Sequence, residues 1–233
     1  MKRNNCYKYP KTQREKIEGK RHYVFDKEKL PSVTTILDIT QPAEKRESLA
    51  KWRQREGEAN AARIVATSAA RGTAMHKILE MYILEQGYLD ETNVGKQAHN
   101  MALQVIQSGL SNLTEYYGTE CTLYYPGLYA GQTDLVAIHK GEDAIIDFKQ
   151  TNKPKKQEWV VDYYLQMVAY AEAHNEIYGT NIREGHVFMC SRGDHSMELG
   201  GETYQQFDLW PHEYDEWREE WYNRVYQYYE KQQ

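Results

Sequence analysis

Gly131-Gln-Thr-Asp134-Leu-Val-Ala-Ile-His-Lys-Gly-Glu-Asp-Ala144-Ile-Ile-Asp147-Phe148-Lys149 is the stretch from which the fold can be read. Residues 135–138 and 144–148 are short apolar runs rich in branched side chains, and the polar His139-Lys-Gly-Glu-Asp143 between them has the composition of a turn. A β-hairpin is predicted. Asp134 opens its first strand. Asp147 and Lys149 alternate with Phe148 in the second, so the two-residue period of a strand puts that carboxylate and that amine on one face, with Asp134 able to lie beside them.

Two acids and a lysine converging on a sheet face suit metal-assisted hydrolysis of a phosphodiester. Hard cations such as Mg²⁺ take oxygen ligands and keep several waters, so a site with few carboxylates leaves room for a substrate phosphate and an attacking water. Lys149 has two roles open to it: orienting or deprotonating that water, or stabilising charge on the transition state. A surface hairpin whose Asp and Lys pair across solvent would carry the same D-x(12)-D-x-K pattern, so the flanking sequence has to decide.

Upstream, Gly72-Thr-Ala-Met-His76-Lys-Ile-Leu-Glu80 sets His76 and Glu80 four residues apart, on one face of a helix, with Gly72 a turn earlier. Downstream, Tyr163-Tyr-Leu-Gln166-Met-Val-Ala-Tyr170 repeats that step with Gln166 and Tyr170. In this order the chain resembles the RecB-like branch of the PD-(D/E)XK nuclease superfamily. Leu30-Pro-Ser-Val-Thr-Thr-Ile-Leu37 and Ala70-Arg-Gly-Thr-Ala-Met-His76 are similar to signatures of the mitochondrial genome maintenance exonucleases and related phage exonucleases, and the likeness runs from about residue 30 to about residue 192.

That resemblance implies a restriction endonuclease-like α/β core, with a central mixed sheet flanked by helices and an N-terminal helical region. It further implies Mg²⁺ or Mn²⁺ held by Asp134, Asp147, the main-chain carbonyl of Phe148 and His76, with Glu80 either helping a second metal or pairing with Lys77. Asp134, Asp147, Lys149 and Gln166 are then the expected catalytic group. Gln166 would orient the lysine, the water or a phosphate, and Tyr170 would support the helix against the sheet and the nucleic acid. The implied activity is a DNA exonuclease preferring single-stranded ends, in a phage setting of replication, recombination or host-DNA breakdown. An endonuclease of the same superfamily and a noncatalytic nucleic-acid-binding accessory protein are the alternatives, and the Asp–Asp–Lys set speaks against the second.

The chain of 233 residues, 40% hydrophobic and 12% aromatic, is long enough for one compact domain. No apolar run approaches bilayer-spanning length and Met1-Lys-Arg-Asn-Asn-Cys lacks a signal core, so an intracellular, cytoplasmic protein without membrane contact is expected. Cys6, Cys121 and Cys190 are scattered and expected to be reduced, and three thiols cannot supply a four-cysteine iron–sulfur cluster. The net charge of −5 argues against a nucleic-acid partner only until its distribution is considered. Basic residues gather at Lys45-Arg46, at Lys51, Arg53 and Arg55, and from Lys149 through Lys153 to Lys156, whereas acids concentrate at 213–220. A basic groove on an acidic protein is expected, with Lys51, Arg53, Arg63, Arg71 and Lys153 as phosphate contacts.

The polar segment 1–29 is expected to be partly disordered, with a short strand at 21–25. A single domain over 30–233 follows, divided into a helical region 30–115 and a catalytic sheet with helices at 116–233. Helices are predicted from a cap at Ser32, then over 44–55, 58–69 and 73–85 with Gly57 and Gly72 as breaks, and over 95–110, 156–178 and 212–230. Strands are predicted at 121–125, 131–138, 144–149, 185–190 and 203–209. The C-terminal aromatic stripe from Trp210 to Tyr228 has helical spacing and is expected to dock the last helix.

Overall fold

A computed structural model describes residues 1–25, 28–193 and 201–232. Nine strands and six α-helices follow one another as β1 Lys2–Arg3, β2 Gln13–Ile17, β3 Lys20–Phe25, β4 Glu28–Pro31, α1 Val33–Ile39, α2 Ala43–Glu56, α3 Glu58–Ile83, α4 Asn93–Ser108, β5 Leu113–Tyr125, β6 Tyr129–His139, β7 Glu142–Thr151, α5 Val161–Tyr178, β8 Glu184–Ser191, β9 Thr203–Leu209 and α6 Tyr214–Glu230, counted among the described residues. Six of the strands form a mixed sheet in the order β1-β5-β6-β7-β8-β9. β5 through β7 form an antiparallel meander. β7 and β8 are parallel, with α5 lying between them in sequence as the crossover helix that a parallel pair requires. The architecture is the expected α/β sheet flanked by helices.

Strand alternation divides the core into two layers. Leu135, Ala137, Ala144, Ile146 and Phe148 face one way and pack with Met75, Leu79, Met101 and Val105 of α3 and α4. Val136, Ile145, Val187 and Met189 face the other way against Leu165, Val168 and Ala169 of α5, with Ile36 of α1 and Trp221 of α6. The hairpin is therefore buried on both faces, and polar residues on it, Thr133, Asp134, His139 and Asp147, are in the interior.

Several boundaries differ from the sequence expectation. Gly72 does not break a helix: α3 runs unbroken from Glu58 to Ile83. Gly72 is helical and packs toward the sheet, where a Cβ would meet the Gln150 side chain at 3.4 Å, an ordinary contact. Gly57, at φ +79°, does separate α2 from α3, a backbone region that glycine enters without steric cost. The helix expected from 156 starts only at Val161, after a 3-10 turn at Gln157–Trp159. β5 begins eight residues before the expected 121, because Tyr116 and Tyr117 bury their rings on opposite faces.

The polar segment before residue 30, expected to be partly disordered, carries strands. β2, β3 and β4 form a small antiparallel sheet that buries Tyr23 and Leu30 against Ala130 of β6. Composition undervalues such a segment because its strands are satisfied by one another and by a single aromatic contact. Ser32 then caps α1 as expected, its hydroxyl accepting from the Thr35 amide at 3.0 Å.

Candidate active site

Pairing between β6 and β7 stops at Leu135–Ile146, although β6 starts six residues before that point and β7 continues for five beyond it. β7 keeps its other neighbour, β8, through Asp147, Phe148 and Lys149. The hairpin strands thus part where its two acids lie. Asp134 fills the gap, its Oδ2 accepting the Phe148 amide at 2.6 Å.

From the facing layer, α3 delivers His76, whose Nδ1 lies 3.0 Å from Asp134 Oδ1 and whose ring meets the edge of Phe148. Burial works against a charge on either partner. The Asp134 charge and hydrogen bond outweigh it and raise His76 to about 9, while His76, Lys149 and the Phe148 amide hold Asp134 below the ordinary carboxylate range. Lys149 Nζ contacts Asp147 Oδ2 and lies 5.3 Å from the centre of the Tyr163 ring. Burial lowers the lysine, but Asp147 and Asp134 overcome this and hold it above its usual value. Asp147 is raised to about 6, first by burial and then by Asp134, with Lys149 opposing. Only 2% exposed, it keeps an Oδ2 that makes no hydrogen bond of ordinary geometry among the described residues.

Glu120 joins this group, a residue that the sequence reading did not select. Ligand atoms of His76, Glu120 and Asp134 all lie within 4.8 Å of one another. Burial, followed by the charge of Asp134, raises Glu120 to about 7. Its signal lay in the register: with Thr119 opposite Leu135 and Cys121 opposite Thr133, Glu120 stands across from Asp134. Counting back from the Pro126-Gly127 turn would have found it.

Gln166 and Tyr170 are buried on α5, joined by a hydrogen bond of 3.0 Å from Gln166 Nε2 to the tyrosine oxygen. Tyr170 is packed over Gly131, where a Cβ would come within 2.5 Å of its ring. Both line a cleft of about 170 Å³ with Asp134 and Glu120. Arg14 and Arg21 of the small N-terminal sheet complete its wall, and neither was anticipated. Glu80 is not among the three gathered side chains; its Oε2 accepts from Lys77 Nζ at 2.9 Å on the helix surface.

The expected phosphate contacts divide by place. Arg63, Arg71 and Lys153 line one larger cleft, about 680 Å³, together with Ser68, Asn152 and Arg192. Arg71 is buried there, donating to Gln150 Oε1 at 2.7 Å and contacting the Asn152 side-chain oxygen. No carboxylate pairs with it among the described residues, and burial followed by the neighbouring Arg192 lowers it. Lys51 and Arg53 stand apart, exposed on α2, a helix that buries no residue of its own.

A mixed sheet with one crossover helix, carrying two acids and a lysine at its parted hairpin, is the arrangement of a PD-(D/E)XK nuclease-like protein. The chain's curated relatives are named mitochondrial genome maintenance exonuclease 1. The chain is 32% identical to the protein of Mus musculus over 154 residues, 63% of this chain and 44% of that one. To the protein of Xenopus tropicalis it is 29% identical over 221 residues, 88% of this chain and 60% of that one. It thus spans about half the length of the curated relatives it matches. No family model matches the chain. Among solved structures, LHK-Exo in complex with dAMP gives a TM-score of 0.39 at 12% identity, covering 87% of each chain, a likeness too slight to argue from. Among the described residues no helix is long and apolar enough to cross a membrane. Cys121 and Cys190 are buried on opposite faces of the sheet and Cys6 is exposed.

Proposed function

We propose that the protein is a divalent-metal-dependent deoxyribonuclease that degrades single-stranded DNA from its ends. The observation that carries this reading is the convergence of two buried carboxylates, Asp134 and Asp147, with Lys149 in contact with Asp147 Oδ2. Two buried carboxylates brought together repel when both are charged, as the pKa of Asp147, raised by burial and then by Asp134, reflects, and a divalent cation is the partner that relieves such a pair best. The donor set fits Mg²⁺ or Mn²⁺. Asp134, Asp147 and the Phe148 carbonyl would hold the ion, with His76 or Glu120 available as further ligands and Glu80, now paired with Lys77, free to turn to a second only by leaving that lysine. Bound there, the ion would act as a Lewis acid on the scissile phosphate.

The chain's own groups supply the rest. Lys149, held charged between two acids, donates to the attacking water or to phosphate oxygens as negative charge accumulates. Asp134 fixes the Phe148 main chain through its amide and orients His76 through Nδ1. Gln166, with its amide nitrogen tied to Tyr170, lines the cleft and would position water or phosphate there. Arg63, Arg71 and Lys153 on one side and Arg14 and Arg21 on the other would hold phosphates along a strand passing the acids, with Lys51 and Arg53 as outer contacts. End-labelled linear single strands should disappear rapidly with Mg²⁺. Closed single-stranded circles and blunt duplexes should be cut poorly, and EDTA should stop all hydrolysis. Equal initial rates on linear and circular strands would favour an endonuclease, and full activity in EDTA would end the metal reading.

A further inference from the structure

Away from the parted hairpin, at the far end of β6, a second group of side chains has no place in the proposed reaction. His139 closes β6, while Glu184 and His186 open β8 two residues apart and hence on one face of that strand. His139 lies roughly 17 Å along β6 from Asp134, taking about 3.4 Å per residue. Ligand atoms of His139, Glu184 and His186 lie within 4.8 Å of one another. His139 is 1% exposed and His186 fully buried.

Their hydrogen bonding is incomplete in a directed way. His186 Nδ1 lies 2.7 Å from Asp208 Oδ1, and a carboxylate only accepts, so the ring proton sits on Nδ1 and the Nε2 lone pair is left bare. Nε2 has no hydrogen-bond partner among the described residues, and neither nitrogen of His139 has one. Glu184 Oε2 stands 3.6 Å from His186 Nε2, too far for a good hydrogen bond. Ligand atoms about 2.1 Å from a tetrahedral ion lie roughly 3.4 Å apart, close to that separation. A carboxylate on the remote nitrogen of a histidine is also the arrangement that aims and strengthens a metal-binding imidazole.

We propose that His139, Glu184 and His186 form a second cation site, selective for a zinc-class ion, with Asp208 orienting His186 and water completing the coordination. Two imidazoles and one carboxylate suit Zn²⁺ better than the oxygen-preferring Mg²⁺. The site bridges β6 and β8 across β7, so its ion would brace the sheet rather than act on DNA. Glu184, partly exposed, leaves a route for the ion to enter.

The test counts zinc. Protein stripped with EDTA and dialysed against Zn²⁺ is freed of unbound metal and assayed by mass spectrometry. The comparison is made on the Asp134→Asn/Asp147→Asn background, which disables the first site. This background should retain one equivalent of zinc, show tetrahedral Co²⁺ absorption, and gain thermal stability with added Zn²⁺. Glu184→Gln and His139→Gln should each weaken zinc binding about tenfold or more. Should the double background or the buried His139 variant fail to fold by circular dichroism, wild type against Glu184→Gln decides, the variant retaining one zinc fewer. No zinc retained by the folded background, or equal retention in wild type and folded Glu184→Gln, overturns the proposal.

Discussion

Asp147 and Lys149 touch each other in the interior, but their expected losses differ in kind. Asp147→Asn keeps the shape while removing the charge that would hold an ion, so turnover should fall by about 10³-fold or more, with the circular dichroism spectrum retained. Lys149→Ala should cost about 10²-fold or more in kcat yet leave the metal dependence of the remaining activity nearly unchanged. A wild-type rate in Asp147→Asn would refute the assignment. Gly131 offers a steric test, because a methyl group there would press within 2.5 Å of the Tyr170 ring. Gly131→Ala should destabilise the protein by about 1–3 kcal/mol and lower turnover by displacing Gln166. In Gly131→Ala/Tyr170→Leu, denaturation should recover part of the stability lost by Gly131→Ala relative to Tyr170→Leu alone; strict additivity would show that the two do not collide.

At the scale of elements, α3 matters most because it is one piece. A single helix carries Arg63, Arg71 and His76, so basic cleft and acids are held in fixed relation at about 1.5 Å per residue. Arg71→Gln should weaken single-strand binding and reduce the slope of log affinity against log salt by about 0.7 per lost phosphate contact. An unchanged slope in the folded variant would remove Arg71 from the DNA path. Much of this was legible: the two-residue alternation of 144–149 gave the strand and its facing, and the four-residue steps placed His76 with Glu80 and Gln166 with Tyr170. The unbroken α3 was not, because glycine is read locally as a breaker, whereas the packing of α3 on α4 and the sheet keeps it helical through Gly72. Glu120, Arg14 and Arg21 were also hidden. Each reaches the site through pairing or packing between distant segments, for which a local period carries no signal.

For the whole molecule, the N-terminal segment is pinned through a buried histidine on α5. His174 Nε2 lies 3.1 Å from the Tyr9 hydroxyl and Nδ1 lies 2.8 Å from Thr180 Oγ1, with Tyr7 and Tyr178 packed around the ring. Burial depresses its pKa from 6.5 to about 4. Between those values the unfolded chain takes up a proton that the folded chain refuses, so this contribution to stability is whole above 6.5 and declines as pH falls toward 4. The slope should approach about 1.4 kcal/mol per pH unit. Urea titrations between pH 7.5 and 4.5 should show this decline, and His174→Gln should flatten it; identical slopes would exclude His174 as the cause.

The parting of β6 from β7 also gives the molecule a gauge that can be read without substrate. Because the Phe148 amide donates its proton to a carboxylate oxygen and not to a ladder carbonyl, its nitrogen–proton resonance depends on the electron density at Asp134. Anything that draws on that carboxylate, whether an ion, a proton or a displaced imidazole, must shift this one backbone signal. A nuclear magnetic resonance titration could therefore follow the loading of the site from a single peak.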